Sequence, residues 1–162
     1  MKTFKHILID VIVFAFFLGG ITSSPGFAQA GPDPSSTPVA LPPVQSQGQT
    51  EYLTGGIGAD ESEAILQQAR AWPLVLELAQ NGPTRAAYIS DVSVTIKDGS
   101  GKIILDTITE GPFLLVRLAP GRYSLDASYQ AKTLHRAVSI GKGGSNRIIL
   151  LWPASGKEGG SQ

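Results

Sequence analysis

The chain has no cysteine, which excludes disulfides, thiolate catalysis and cysteine-ligated zinc together and leaves the apolar core to hold the fold. Charge is scarce, at 16% of residues, and balanced, with 13 Lys+Arg against 13 Asp+Glu. Such a chain has no long-range field to gather DNA, RNA or anionic lipid, so no nucleic-acid partner is expected. Aromatics make up only 7%. The most apolar stretch, Ile7 to Ile21, is shorter than the roughly 20 residues a spanning helix needs and contains Asp10. Gly-x-Ser-x-Gly and Gly-Lys-Ser/Thr are both missing, which removes the nucleophile elbow and the Walker loop.

What is present begins with an address. Lys2 and Lys5 precede an apolar run from Val11 to Leu18, and Ala28-Gln29-Ala30 supplies small residues at cleavage spacing. This pattern predicts a secretory signal peptide over residues 1–30, cut after Ala30, and a periplasmic or secreted protein of a Gram-negative bacterium. No cysteine follows the run, so no lipid anchor and no membrane association after cleavage are expected. Loss of Lys2, Lys5 and Asp10 leaves a net charge of −1, and His135 becomes the sole histidine.

Residues 31–50 are rich in Pro, Ser, Gln and Gly and are expected to form a disordered linker, because they cannot bury enough surface to offset their ordering entropy. A glycine-rich lead-in and a short helix are expected over 51–71. Asp60 and Glu63 are spaced as a capping box, with acidic side chains suited to a helix N-terminus. Ile65, Ala69 and Trp72 then share one face, with Leu66 beside it. Gly55-Gly56-Ile57-Gly58 lacks the strand and spacing of a dinucleotide fingerprint, and the Asp60, Glu61, Glu63 trio lacks the spacing of a calcium loop. The lead-in is read as a flexible approach to a capped helix, with a loop that contacts a partner as the alternative.

From Leu74 to Trp152 the period is two. Leu74, Leu76 and Leu78 alternate with Val75, Glu77 and Ala79; Val92, Val94 and Ile96 with Ser93, Thr95 and Lys97. Asp98-Gly99-Ser100-Gly101 predicts a hairpin connection, and Ile103 and Leu105 are expected on one face of the strand after it. Phe113 to Leu118 is apolar nearly throughout, which predicts burial on both faces or a central position. Pro120-Gly121 predicts a type II turn, with Gly121 at positive φ. Tyr123, Leu125, Ala127 and Tyr129 share the next face, then Leu134, Arg136, Val138 and Ile140, then Ile148, Leu150 and Trp152. Seven short strands over 72–153, followed by a flexible tail over 154–162, predict an all-β antiparallel sandwich.

The segments Ile89-Ser90-Asp91-Val92-Ser93-Val94-Thr95-Ile96, Gly111-Pro112-Phe113 and Leu118-Ala119-Pro120-Gly121-Arg122-Tyr123-Ser124-Leu125 resemble the carboxypeptidase regulatory-like domain. The resemblance covers about residues 72–152 and implies a seven-stranded, transthyretin-like (prealbumin-like) sandwich. Its motifs encode turns and core and imply no chemistry. The segment from Tyr52 to Ala71 has no counterpart in that domain.

Candidate chemistry is thin. Hydroxyisourate hydrolases, which share the transthyretin-like fold, use several histidines and a C-terminal Tyr-Arg-Gly-Ser, whereas this chain ends Gly159-Gly160-Ser161-Gln162. His135 lacks an evident nucleophile and orienting group. Lys97, Asn146 and Glu77 form the one set that would suit an intramolecular amide bond, although Lys97 falls on a polar face. Trp72, Tyr88, Tyr129 and Trp152 are the rings a glycan site would use, but Trp72 and Trp152 lie at element ends and align with the core face, so core or rim packing is their expected role. No catalytic residue, metal or cofactor is therefore expected. The candidate contact surface is Tyr52, Gly55, Gly56, Asp60, Glu61, Trp72 and Trp152. The reading is a non-enzymatic exported binding or scaffold module with an unidentified envelope protein or glycan as partner. Its alternatives are a carbohydrate-binding module and, after that, a hydrolase.

Overall fold

In the computed structural model, residues 40–154 are described; the signal peptide with its cleavage site, residues 31–39 of the expected linker and nearly all of the tail lie outside them. Within that span the chain is mostly strand with one short α-helix, arranged as two sheets. The elements are β1 (Gln45–Gln47), β2 (Thr50–Gly55), α1 (Ala59–Gln68) with a 3₁₀ turn at Ala69–Ala71, β3 (Leu74–Gln80), β4 (Ala87–Tyr88), β5 (Ser93–Asp98), β6 (Ile103–Ile108), β7 (Phe113–Val116), β8 (Gly121–Tyr129), β9 (Lys132–Ile140) and β10 (Asn146–Trp152).

Sheet A runs β1-β2-β7-β3-β10, with β4 also on β3; sheet B runs β6-β5-β8-β9. Each of the seven strands expected from the two-residue period is present. Ten strands form rather than seven, however, and the pairing is not wholly antiparallel. β3 and β10 lie parallel, Leu74 opposite Asn146 through Gln80 opposite Trp152.

The alternation closes one core between the sheets. Leu74, Leu76, Leu78, Leu114, Val116, Leu150 and Trp152 from sheet A meet Val94, Ile96, Leu105, Leu125, Ala127, Val138 and Ile140 from sheet B. A second apolar layer lies on the opposite face of sheet A. There Ile65, Ala69 and Trp72 pack on Leu53, Val75, Phe113 and Leu115. The helical face read from the sequence is thus the buried one, and β7 is covered on both sides, which is why its four residues carry no polar alternation.

Three local expectations are corrected. Thr50–Gly55 is a strand, not a loop, and Gln45–Gln47 pairs with it, so the end of the expected linker is ordered by main-chain pairing that its polar composition conceals. Ile103 does not share the face of Leu105. A bulge between Ile96 and Lys97 sets Lys97 opposite Ile103 but Ile96 opposite Leu105, and the extra residue turns Ile103 to solvent. Gly121 is not among the positive-φ glycines. It opens β8, and the turn before it is held by Tyr123, whose hydroxyl donates to the Ala119 carbonyl at 2.8 Å.

The hairpin at Asp98 forms as expected. Its Oδ1 accepts from the Ser100 and Lys102 amides at 2.9 and 3.1 Å and from the Ser100 hydroxyl at 2.6 Å, while Gly101 takes φ 86°. These bonds, the Ser100 hydroxyl first, hold the Asp98 carboxyl below the usual carboxylate range.

Candidate functional site

The site is built where β2 hands over to α1. Gly58, not Asp60, is the N-cap, and no side chain caps the helix there. Instead the Gly56 amide donates to Glu61 Oε1 at 2.9 Å, and Ser62 Oγ donates to the Gly56 carbonyl at 2.7 Å. Glu61 and Ser62 thus reach back past the cap and tie down the glycine turn. A side chain could not replace Gly56: its φ is +97°, and a Cβ there would overlap the Phe113 ring.

That tie has a consequence for Ile57. Between two fixed glycines it has nowhere to pack and stands 69% exposed. Tyr88, on the two-residue strand β4, tilts over Phe113 with ring centroids 5.4 Å apart and stays 58% exposed. Between them lies an apolar cleft of about 500 Å³, its walls completed by Ala59, Ile89, Ser90 and Pro112. Ile57 and Tyr88 are 31 positions apart in the chain, and only the fold brings them together.

Of the residues the sequence singles out, Gly55, Gly56 and Glu61 build this corner, and Asp60 is exposed on the first helical turn. The other three lie elsewhere and are buried. Tyr52 faces the inter-sheet core with its hydroxyl donating to Gln45 Oε1 at 2.8 Å. Trp72 packs under α1, its ring capped by the Arg117 guanidinium at 4.5 Å, and Arg117 in turn meets Glu51 at 2.9 Å. Trp152 sits in the inter-sheet core, donates from Nε1 to the Lys132 carbonyl at 3.1 Å and meets Tyr129 edge-on. None of these three presents a flat ring to solvent. Tyr88 is the one exposed aromatic among the described residues.

Elsewhere the polar groups satisfy one another. Lys97 is in sheet B and bonds Asp126 at 3.1 Å, whereas Glu77 and Asn146 are in sheet A, so the set considered for an amide bond is not assembled. The buried Glu77 carboxylate is held by a short ion pair to Arg147 on β10. His135 Nδ1 lies 2.6 Å from Asp126 Oδ1 on the outer face of sheet B, and Ser128 Oγ is engaged with Thr133 instead. Hydrogen bonds from His135 first and Lys97 second hold the Asp126 carboxyl below its ordinary range.

Because the folded value lies below the unfolded one, this contribution is present above the unfolded pKa of about 3.9 and is lost as pH falls through the folded value. Asp126→Asn is therefore expected to lower the urea midpoint at pH 7, with the gap from wild type closing as pH falls below about 4. The group is open to solvent, so the effect is small.

Among the described residues no helix is long and apolar enough to cross a membrane, and no cluster of three or more His, Asp or Glu side chains is gathered to hold a metal ion. Compared with known proteins, the chain matches no family model and no curated sequence.

Proposed function

We propose that the protein is a non-enzymatic binding module of the bacterial envelope, exported by the segment ending at Ala30, which docks an apolar group of its partner into the cleft between Ile57 and Tyr88. The observation that carries this reading is a pair of large exposed apolar side chains on a scaffold that allows them no retreat. Ile57 is fixed by the glycine turn and its bonds to Glu61 and Ser62, and Tyr88 by the Phe113 ring behind it. Fixed apolar groups lose little entropy on contact, which suits a docking site. The finer fold assignment, a carboxypeptidase regulatory-like sandwich of transthyretin type with added strands and helix, rests on the turn and core motifs of residues 89–125. A carbohydrate-binding reading has one exposed ring among the described residues, Tyr88, to rest on.

The test is capture of partners from envelope extract with wild-type protein and with Ile57→Ser and Tyr88→Ser. Retention of a partner by wild type, reduced about tenfold or more in each variant with unchanged thermal midpoints, is the expected outcome. Identical captures by all three, or turnover of ester, peptide or glycoside substrates by the wild type, contradicts the proposal. Glycan-array binding lost on Tyr88→Ser would favour the carbohydrate reading instead.

A further inference from the structure

The free edge of sheet A is built unlike the rest of the surface. β10 is the last strand, paired only with β3 among the described strands. The Asn146 amide donates to the Pro73 carbonyl and the Asn81 amide to the Trp152 carbonyl, both at 2.9 Å. In a parallel ladder this parity commits the main chain of Asn146, Ile148, Leu150 and Trp152 to β3. The N–H and C=O groups of Arg147, Ile149 and Leu151 consequently point outward. Their side chains stand on the outer face, where Ile149 is 61% and Leu151 41% exposed.

Sheet B overhangs this edge. β9 runs beside β10 in the opposite direction, since Trp152 Nε1 reaches the Lys132 carbonyl and Asn146 Nδ2 the Ser139 carbonyl. Along β9, Val138 and Ile140 point into the inter-sheet core and Leu134 packs against it. Lys132 and Arg136 share that parity yet are exposed, because no described strand lies beyond β10 in sheet A to cover them. From Ala127 to Lys157 the chain carries no Asp or Glu. The nearby carboxylates face away, Glu77 to Arg147 and Asp126 to His135 and Lys97.

We propose that β10 accepts an extended acidic segment of a partner protein as an added strand, with the partner's apolar side chains beside Ile149 and Leu151 and its carboxylates opposite Lys132 and Arg136. Three outward N–H and three outward C=O groups supply the main-chain bonds, and the two faces of the added strand meet different chemistry, which sets a period-two code. A second copy of this chain does not fit, because its β10 would bring Ile148 and Leu150 against the cations. Edge cations commonly block strand addition; here they discriminate, rejecting apolar and basic strands while admitting an acidic one. This surface is distinct from the Ile57–Tyr88 cleft, and failure at one leaves the other standing.

The probe is a blocked nonapeptide alternating glutamate with valine, set against the same peptide with lysine for glutamate. Titrated into the protein as purified from the cell, the glutamate peptide is expected to bind at least about tenfold more tightly than the lysine peptide. The amide signals of Arg147, Ile149 and Leu151 should move more than those of Ile148 and Leu150. The double substitution Lys132→Glu with Arg136→Glu should reverse the preference. Ile149→Pro removes a donor that β3 does not use, so it should weaken binding about tenfold while circular dichroism stays unchanged. Equal binding of the two peptides, shifts confined to another surface, no binding of the glutamate peptide at about 1 mM, or a β10-to-β10 dimer each overturns the proposal.

Discussion

Phe113→Ala is expected to cost about 3–5 kcal/mol in urea unfolding, the range for emptying a fully buried aromatic site. The ring has no solvent exposure and touches three structures at once. It packs with Ile65, Trp72 and Leu115 in the layer under α1, lies behind Tyr88, and fills the space that Gly56 leaves open. Because it pairs opposite Gly55 on one side and Glu77 on the other, its loss should loosen both α1 and the glycine turn. The same measurement on Ile108→Ala, an exposed position of β6, should stay within about 0.5 kcal/mol. A Phe113→Ala protein as stable as Ile108→Ala would mean that the helix does not cover sheet A.

Gly111→Ala should be comparably damaging through a different cause. A Cβ at Gly111 would overlap the Gly55 carbonyl, which is main chain of β2 and cannot swing aside as a side-chain tip could. To make room, β2 must separate from β7, where Gly55 lies opposite Phe113. We expect a loss of about 3 kcal/mol or more in chemical denaturation, with the protection of the β2 amides falling most. The control is Gly143→Ala. Nothing lies within 4 Å of a Cβ there and its φ is ordinary, so the substitution should be neutral or stabilise by up to about 1 kcal/mol. If Gly111→Ala proved as harmless as Gly143→Ala, the close approach of residues 111 and 55 would be refuted.

How much of this was legible in the sequence depended on whether a signal was local. The half-buried strands announced themselves, since Tyr123 through Tyr129 must alternate to face core and solvent in turn, and so did β7, whose lack of alternation reports cover on both sides. β2 was hidden for a related reason. Tyr52 and Thr54 face one apolar layer and Leu53 and Gly55 the other, so six residues ending in a glycine, with Gly56 directly after, read as a loop. Pairing beyond the Asp98 hairpin was not legible. Nothing near Leu74 says that it lies opposite Asn146, and the bulge that turns Ile103 outward depends on a one-residue mismatch between two strands. The indoles show the limit of composition: as rings Trp72 and Trp152 suit a binding site, yet their alignment with the apolar faces already pointed inward, and the fold buries both. The cleft that replaces them as a candidate needs Ile57 and Tyr88 together, a juxtaposition made by β2, β3 and β4.

The central physical claim is that β7 is sealed between two apolar layers while the sheet margins are open. Amide hydrogen exchange followed residue by residue tests it most directly. The account predicts that Leu114, Leu115 and Val116 exchange only by global unfolding, at the slowest rates in the protein, and that β1, β4 and the outward amides of β10 exchange orders of magnitude faster. Exchange of 114–116 as fast as that of β4 would contradict it.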